Sequence, residues 1–338
     1  MKTAIEESLG ITFEGEKGEH FFRSTLVQTL FYGMFSAWVL WRRTPEGRAE
    51  DAAFDWRLSA YYLRIPVLSS LFQAISDPNA INSVQIAEVL DHAQGALNRV
   101  QPEFFANFRE EDAVNYFYEP FLQAFDPELR KQLGVWYTPR EIVRYMVERV
   151  DHLLRTELHE PLGLASPNVQ VLDPCCGTGA YLVEVLNRIE RTLREQAGDD
   201  DALVGADLRR AATTRVFGFE IMPAPFVIAH LQLSRLLDEA GASLTQAQRA
   251  QVYLTNALTG WVPVQHPQSR FGFPAFAEER DAAERVKQAD TILVILGNPP
   301  YNGYAGIAKI DEERGLTTAY REPVDGLTAP QGQGLNDL

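Results

Sequence analysis

Val169-Gln170-Val171-Leu172-Asp173-Pro174, continued by Cys175-Cys176-Gly177-Thr178-Gly179 and then by AYLVEVLNRIERTL from Ala180 to Leu193, reads as a strand, a tight turn and a helix. The β-rich run stops at an aspartate followed by a proline, and apolar spacing of three and four takes over within a few residues. Gly177 and Gly179 give the connecting turn two positions that tolerate unusual backbone angles, and they let a ligand approach the backbone at a helix N-terminus. The spacing is not that of the dinucleotide fingerprint, which needs three glycines placed differently.

The same alternation continues downstream. VFGFEI (Val216–Ile221) is followed by the helical PFVIAHLQLSRLLDEA, then come AQVYLTNAL (Ala250–Leu258) and TILVILGNPPY (Thr291–Tyr301). Strands alternating with helices predict βαβ units, a parallel sheet and right-handed crossovers. Ligands in such sheets bind beyond the carboxyl ends of the strands, and each polar motif in this half falls at such an end. Between Trp261 and Gln288 the chain first reads as a Pro- and Gly-containing loop. It then becomes the charged helix AFAEERDAAERVKQ, whose mixed charge is expected to form a solvated face.

Upstream, residues 20 to about 155 read as helices. LSAYYLRIPVLSSLFQAI and AVNYFYEPFLQAF carry the helical spacing, punctuated at Pro45-Glu46-Gly47, Asp77-Pro78-Asn79 and Asp126-Pro127. TLVQTLFYGMFSAWVLW, from Thr25 to Trp41, is almost uncharged. Gln28, Thr29 and Ser36 interrupt it and its length is marginal for a membrane span, so a helix buried inside a helical domain is expected. The charged beginning MKTAIEESLGITFEGEKGEH lacks the early apolar core of a secretory leader, so a cytoplasmic protein is expected. The resulting division is an all-helical domain over residues 1–155 and an α/β domain over residues 156–338.

Thirty-one basic residues against 46 acidic ones give a formal net charge of −15. That balance argues against a chain whose main surface grips phosphate, because nucleic-acid binding leaves a basic footprint. The two cysteines are neighbours, Cys175 and Cys176, so they provide neither a disulfide framework nor the ligand set of a zinc site. No metal is expected. Both thiols read as small turn residues.

DPCCGTG, Asp173 to Gly179, resembles the S-adenosylmethionine turn DPxxGxG of amino-group DNA methyltransferases, and Asn298-Pro299-Pro300-Tyr301 is similar to their NPPY motif. WYTPREIVRYMV resembles the family segment that precedes the turn. In the order Tyr-Thr-Pro, DPxxGxG, acidic strand end and NPPY, the chain is similar to gamma-class adenine-N6 DNA methyltransferases. GEKGEHFFRSTLVQTLFYGMFSAWVLW and the stretch after NPPY resemble the coupler and methyltransferase region of type ISP restriction-modification enzymes. The resemblance implies a Rossmann-like methyltransferase sheet, incomplete at its C-terminus. It implies that Asp173, Pro174, Gly177 and Gly179 hold the methionine end of the cofactor and that Tyr137 and Thr138 pack over it. Thr138 is also expected to cap a helix opened by Pro139.

Glu220 matches the family's ribose-binding acid. A carboxylate at a strand end over a ligand crevice accepts two hydroxyl hydrogen bonds readily, although an anion at a helix start is a second reading. Asn256 stands where the family often carries an acid for the adenine amine. Its amide oxygen suits that contact, or it caps a turn. For catalysis the residue types make sense. An exocyclic amine on a heteroaromatic ring is a poor nucleophile, and two acceptors aimed at its hydrogens draw the nitrogen towards tetrahedral geometry. The Asn298 side-chain oxygen is expected to supply one acceptor and the Pro299 carbonyl the other. Pro300 stiffens the strand end and Tyr301 offers a ring on which a planar base can stack. In a duplex the target adenine must leave the stack to reach them.

The resemblance thus implies an adenine-N6 DNA methyltransferase of a restriction-modification or phage-defence system. The chain stops soon after Tyr301, where relatives carry more strands and a target-recognition domain. A fragment or one half of a split enzyme is therefore expected, incomplete by itself and meeting DNA through a region not present here. Nuclease or helicase domains or subunits are possible partners. Two alternatives are a protein-glutamine N5-methyltransferase, which also uses NPPY, and a non-catalytic module that binds S-adenosylmethionine and couples other subunits.

Overall fold

The computed structural model describes residues 2–9, 13–49, 51–63, 65–78, 81, 85–101, 124, 138–197, 200–245, 248–261, 274–289 and 292–299. Its first half is helical: α1 (Lys2–Leu9), α2 (Gly15–Arg42), α3 (Ser59–Tyr62), α4 (Pro66–Ile75) and α5 (Ala87–Asn98). The apolar stretch LSAYYLRIPVLSSLFQAI is broken in two because Pro66 cannot continue a helix from the preceding residues. It opens α4 as the first helical residue instead. AVNYFYEPFLQAF lies outside the described residues save for Ala124.

Thr25 to Trp41 falls within α2, and no helix among the described residues is long and apolar enough to cross a membrane. Its apolar side chains are buried on most sides: Tyr32, Ala37 and Val39 have no exposed surface. Two of the three interrupting side chains find a partner within the helix. Gln28 Nε2 donates to Ser24 Oγ at 3.0 Å and Thr29 Oγ1 donates to the Thr25 carbonyl at 2.7 Å. Pairing of this kind offsets part of the penalty for burying them, while Gln28 Oε1 and Ser36 Oγ are buried with no hydrogen-bond partner among the described residues.

The second half alternates as expected. After α6 (Arg140–Thr156) come β1 (Val171–Asp173), α7 (Ala180–Ala197), α8 (Asp201–Thr214), β2 (Val216–Glu220), α9 (Pro223–Glu239), β3 (Gln251–Leu254), α10 (Pro274–Lys287) and β4 (Val294–Ile295). All pairings are parallel and the strand order is β3-β2-β1-β4. The Rossmann-like methyltransferase reading of the sheet holds. The chain winds outward through β2 and β3, then returns to β1's other side as β4. This reversal opens a crevice beyond the ends of β1 and β4.

Successive strand residues face opposite layers. Val171, Val216, Val252, Leu254 and Val294 join a core with α6 through α9, while Leu172, Phe217, Phe219 and Tyr253 pack with Ala283 and Val286 of α10. α9 is apolar on most sides because it lies between the sheet and α2, with its Leu231 in the cluster built around Leu30, Met34 and Trp38. Ile5, Leu9, Phe13, Val67 and Leu71 belong to the same buried cluster as the sheet residues, so the N-terminal helices share a core with the α/β half.

The charged helix differs from expectation. α10 forms, but two of its charges are buried rather than solvated. Glu279 receives Arg249 at 2.6 Å and 3.0 Å and the Leu254 N–H at 3.0 Å. Lys287 turns inward to the loop after β3. Apolar side chains would leave those backbone groups unmet, so tertiary demand overrides the surface reading of mixed charge.

Candidate active site

The turn from Asp173 to Gly179 folds back over the ends of β1 and β2. Asp173 Oδ1 accepts from the Cys175 N–H at 3.1 Å, and the Cys176 N–H donates to the Phe219 carbonyl at 2.9 Å. The Gly177 N–H donates to Glu220 Oε2 at 2.9 Å, while Glu220 Oε1 accepts from the Met222 N–H at 2.7 Å. Gln232 of α9 clamps the far side by donating to the Thr178 carbonyl at 2.7 Å.

The two glycines serve different ends. Gly177 has φ of +55°, and a Cβ there would meet nothing within 4 Å, so its face opens onto free space. Gly179, at φ +92°, would place a Cβ 3.2 Å from the Ala229 Cβ and is required by the close passage of α9. Gly218, which sequence reasoning passed over, is needed for the same fold-over: a Cβ there would lie 2.6 Å from Leu182 Cδ1 and 3.1 Å from Cys176 Sγ.

Both carboxyls are deeply buried, and both are pushed up to about 7. Loss of hydration is the main cause for each. For Asp173 the Cys175 N–H opposes it and the charge of Glu220 adds to it; for Glu220 the backbone N–H groups of Met222, Gly177 and Ile221 oppose it. Asp173 Oδ2 is buried with no hydrogen-bond partner among the described residues. Burial also pushes the Cys175 thiol up to about 12 and the Cys176 thiol well above its ordinary value. Neither is a thiolate near neutral pH, in keeping with a role as small turn residues.

β4 brings the catalytic candidate to this turn. Gly297 lies against Asp173 and Pro174, and the next residue, Asn298, donates from Nδ2 to Thr138 Oγ1 at 2.9 Å. Pro299 follows on the exposed lip. Thr138, Asp173, Pro174, Gly177, Glu220, Gly297 and Asn298 thus form one connected set of contacts at the ends of three neighbouring strands. Tyr137, Pro300 and Tyr301 lie outside the described residues.

Two expectations are refined. Thr138 stands one position before the cap of α6, which is Pro139 at ψ 137°, with no side-chain cap bond. The first turn closes instead on the Pro139 carbonyl, reached by the N–H groups of Ile142 and Val143 at 3.0 Å and 3.1 Å. Proline's extended ψ delays the helix by one residue, which frees the threonine hydroxyl for Asn298. Asn256, at the end of β3, accepts the Leu258 N–H on Oδ1 at 2.9 Å, an Asx turn of the kind its sequence allowed. Its carbonyl accepts from Lys287 Nζ at 2.7 Å, and the same ammonium reaches Thr255 Oγ1 and the Thr259 carbonyl, each at 2.8 Å. The β3 loop is therefore held from beneath by a buried lysine that no motif announced.

The sequence matches the N-6 DNA methylase family over residues 109–322, more than half of the chain and the whole of this site. The chain belongs to that family. Among its relatives, the EcoEI methylase subunit of a type I restriction enzyme from Escherichia coli is 26% identical over 45% of this chain and 29% of its own length. The type II restriction enzyme and methyltransferase RM.BcgI from Heyndrickxia coagulans is 31% identical over 35% of this chain and 15% of its own. The chain thus spans less than a third of the curated relatives it matches. Two solved structures share the fold. A nuclease-deletion mutant of the type ISP restriction-modification enzyme LlaGI, in complex with a DNA substrate mimic, gives a TM-score of 0.59 at 16% identity, covering 94% of this chain and 23% of that one. The ATP-dependent type ISP enzyme LlaBIII bound to DNA gives 0.60 at 18% identity, covering 90% and 18%.

Proposed function

We propose that this family member methylates N6 of a flipped adenine in DNA, using S-adenosylmethionine, as the methyltransferase part of a larger restriction-modification or phage-defence enzyme. The observation that carries the reading is the contact of Gly297-Asn298 with the Asp173 turn, which puts an amide acceptor beside the proposed cofactor site. Family membership and the restriction-enzyme relatives support DNA as the polymer.

Three features suit the cofactor. Asp173 carries a buried oxygen without a hydrogen-bond partner among the described residues, Gly177 opens its face to free space, and Glu220 presents a buried carboxyl at the neighbouring strand end. Asp173, Pro174, Gly177 and Gly179 would hold the methionine end, with Tyr137 over it and Glu220 on the ribose hydroxyls. Asn256, at the end of β3, would turn its amide oxygen to the adenine amine of the cofactor. When bound, S-adenosylmethionine supplies an electrophilic methyl group on sulfur.

The protein's own contribution is positioning and electrostatics. Asn298 Oδ1 and the Pro299 carbonyl accept the two hydrogens of the target amine and stabilise the positive charge that grows on nitrogen. Pro300 holds the lip rigid, and Tyr301 stacks on the base. Nothing in this scheme requires a metal.

The test is transfer of label from methyl-labelled S-adenosylmethionine to DNA by the natural full-length protein, followed by nucleoside analysis. N6-methyladenine is expected. Label on a glutamine of a release factor and not on DNA would replace this reading with the protein methyltransferase, and binding without transfer to any polymer would replace it with a coupling module.

A further inference from the structure

We propose that Thr138 is the residue that orients Asn298 for catalysis, a role distinct from the cofactor contact that its motif suggests. The inference rests on the proposed function of Asn298 as acceptor of the target amine.

A carboxamide has one accepting and one donating end of nearly equal size, and rotation by half a turn exchanges them. Only one arrangement serves a nucleophilic amine: the oxygen must meet the substrate, because an NH2 group there would repel its hydrogens. Asn298 sits at the half-buried lip of a strand that has already ended, so strand pairing does not fix its side chain. Its contact is with Thr138 Oγ1, which takes the Nδ2 hydrogen at 2.9 Å and leaves Oδ1 as the outward acceptor.

Thr138 is free to do this for a local reason. Its hydroxyl would ordinarily be drawn to the open N–H groups of the helix it precedes. Here Pro139 occupies the cap, and its own carbonyl takes the Ile142 and Val143 N–H groups. The threonine hydroxyl is thereby released to a partner 160 residues away in sequence. That bond ties the helix N-terminus to the catalytic strand end, so α6 sets the pose of the acceptor.

Thr138→Val keeps the shape and removes the hydroxyl; Thr138→Ser keeps the hydroxyl. In the natural full-length protein, Thr138→Val is expected to lower single-turnover methyl transfer roughly ten- to hundredfold, the range of a misplaced catalytic group. S-adenosylmethionine affinity by calorimetry should stay unchanged, and Thr138→Ser should restore the rate. Thr138→Ala, with the same expectation, covers a failure of the valine variant to fold. Loss of cofactor affinity in step with rate would assign Thr138 to the cofactor and overturn the proposal. So would an unchanged rate in the valine and alanine variants while the unaltered protein is active. Absence of transfer by the unaltered protein would overturn the proposed function itself, and this role with it.

Discussion

Gly297 is seated so tightly on Asp173 that a Cβ at position 297 would overlap Oδ1 of the carboxyl and lie 3.1 Å from its Cγ. The residue before the proposed catalytic asparagine therefore touches the residue that opens the proposed cofactor turn. A change at either is transmitted to the other through van der Waals contact, because the Asp173 carboxyl is fully buried and held by the Cys175 N–H.

Gly297→Ala should accordingly push apart the ends of β1 and β4. Overpacking of a fitted site costs about 1–3 kcal/mol, so a lowered melting temperature is expected together with a loss of methyl transfer larger than the loss of stability alone would give. Combining it with Asp173→Ala, which removes the overlapping carboxyl, should cost less than the two single changes together. A double-mutant cycle on melting temperature checks this, and strict additivity would contradict the contact.

Glu220→Gln should weaken cofactor binding. The carboxyl takes the Gly177 and Met222 N–H groups, and the amide keeps only one accepting oxygen. Hydrogen bonds to charged groups are worth about 1.5–3 kcal/mol, so a fall in affinity of roughly ten- to hundredfold is expected by calorimetry. Unchanged affinity would remove Glu220 from the cofactor site.

The same carboxyls make stability depend on pH. Asp173 and Glu220 rise from ordinary values of 3.8 and 4.5 to about 7 in the fold, so the ligand-free folded state holds protons that the unfolded chain has released. Their contribution is full below the ordinary carboxylate range and is lost as pH rises through 7. His230, driven down to about 3 chiefly by burial, acts in the opposite sense but only below its ordinary 6.5. The melting temperature should therefore fall between about pH 5 and 7.5 and level off above it, and less steeply in Glu220→Gln. A flat or rising profile over that window would contradict the burial of both carboxyls.

Lys287→Met should loosen the loop after β3. Three oxygens, on Thr255, Asn256 and Thr259, would lose their common donor while remaining inside the fold. Leaving such groups unmet costs about 1–3 kcal/mol each, so a large drop in melting temperature is expected, with cofactor affinity falling as well. Arginine should not rescue it, since its planar fork cannot direct three donors into one pocket.

The strands, their parallel arrangement and the glycine turn after β1 were legible because their signals are local: β-rich runs, glycine punctuation and helical spacing that all point the same way. DPCCGTG and NPPY declare themselves within a few residues. Contacts between distant segments do not. Nothing near Thr138 signals Asn298, and the mixed charge of α10 reads like any solvated helix, although Glu279 and Lys287 are drawn inward by backbone groups at the end of β3. Pro139, expected as the first residue of α6, is instead its cap, and the helix starts one residue later. α8 was not read from the sequence; it opens on its own capping residue, Asp200, which accepts the Leu203 N–H at 3.1 Å, and it interrupts the simple alternation of one helix per strand.

The most direct measurement compares Asn298→Ala with the unaltered full-length protein for N6-methyladenine formed in DNA and for S-adenosylmethionine affinity. The account expects methyladenine from the unaltered protein, none from the variant, and equal cofactor affinity in both, because Asn298 acts on the target amine and not on the donor. Normal methylation by the Asn298→Ala variant would contradict it.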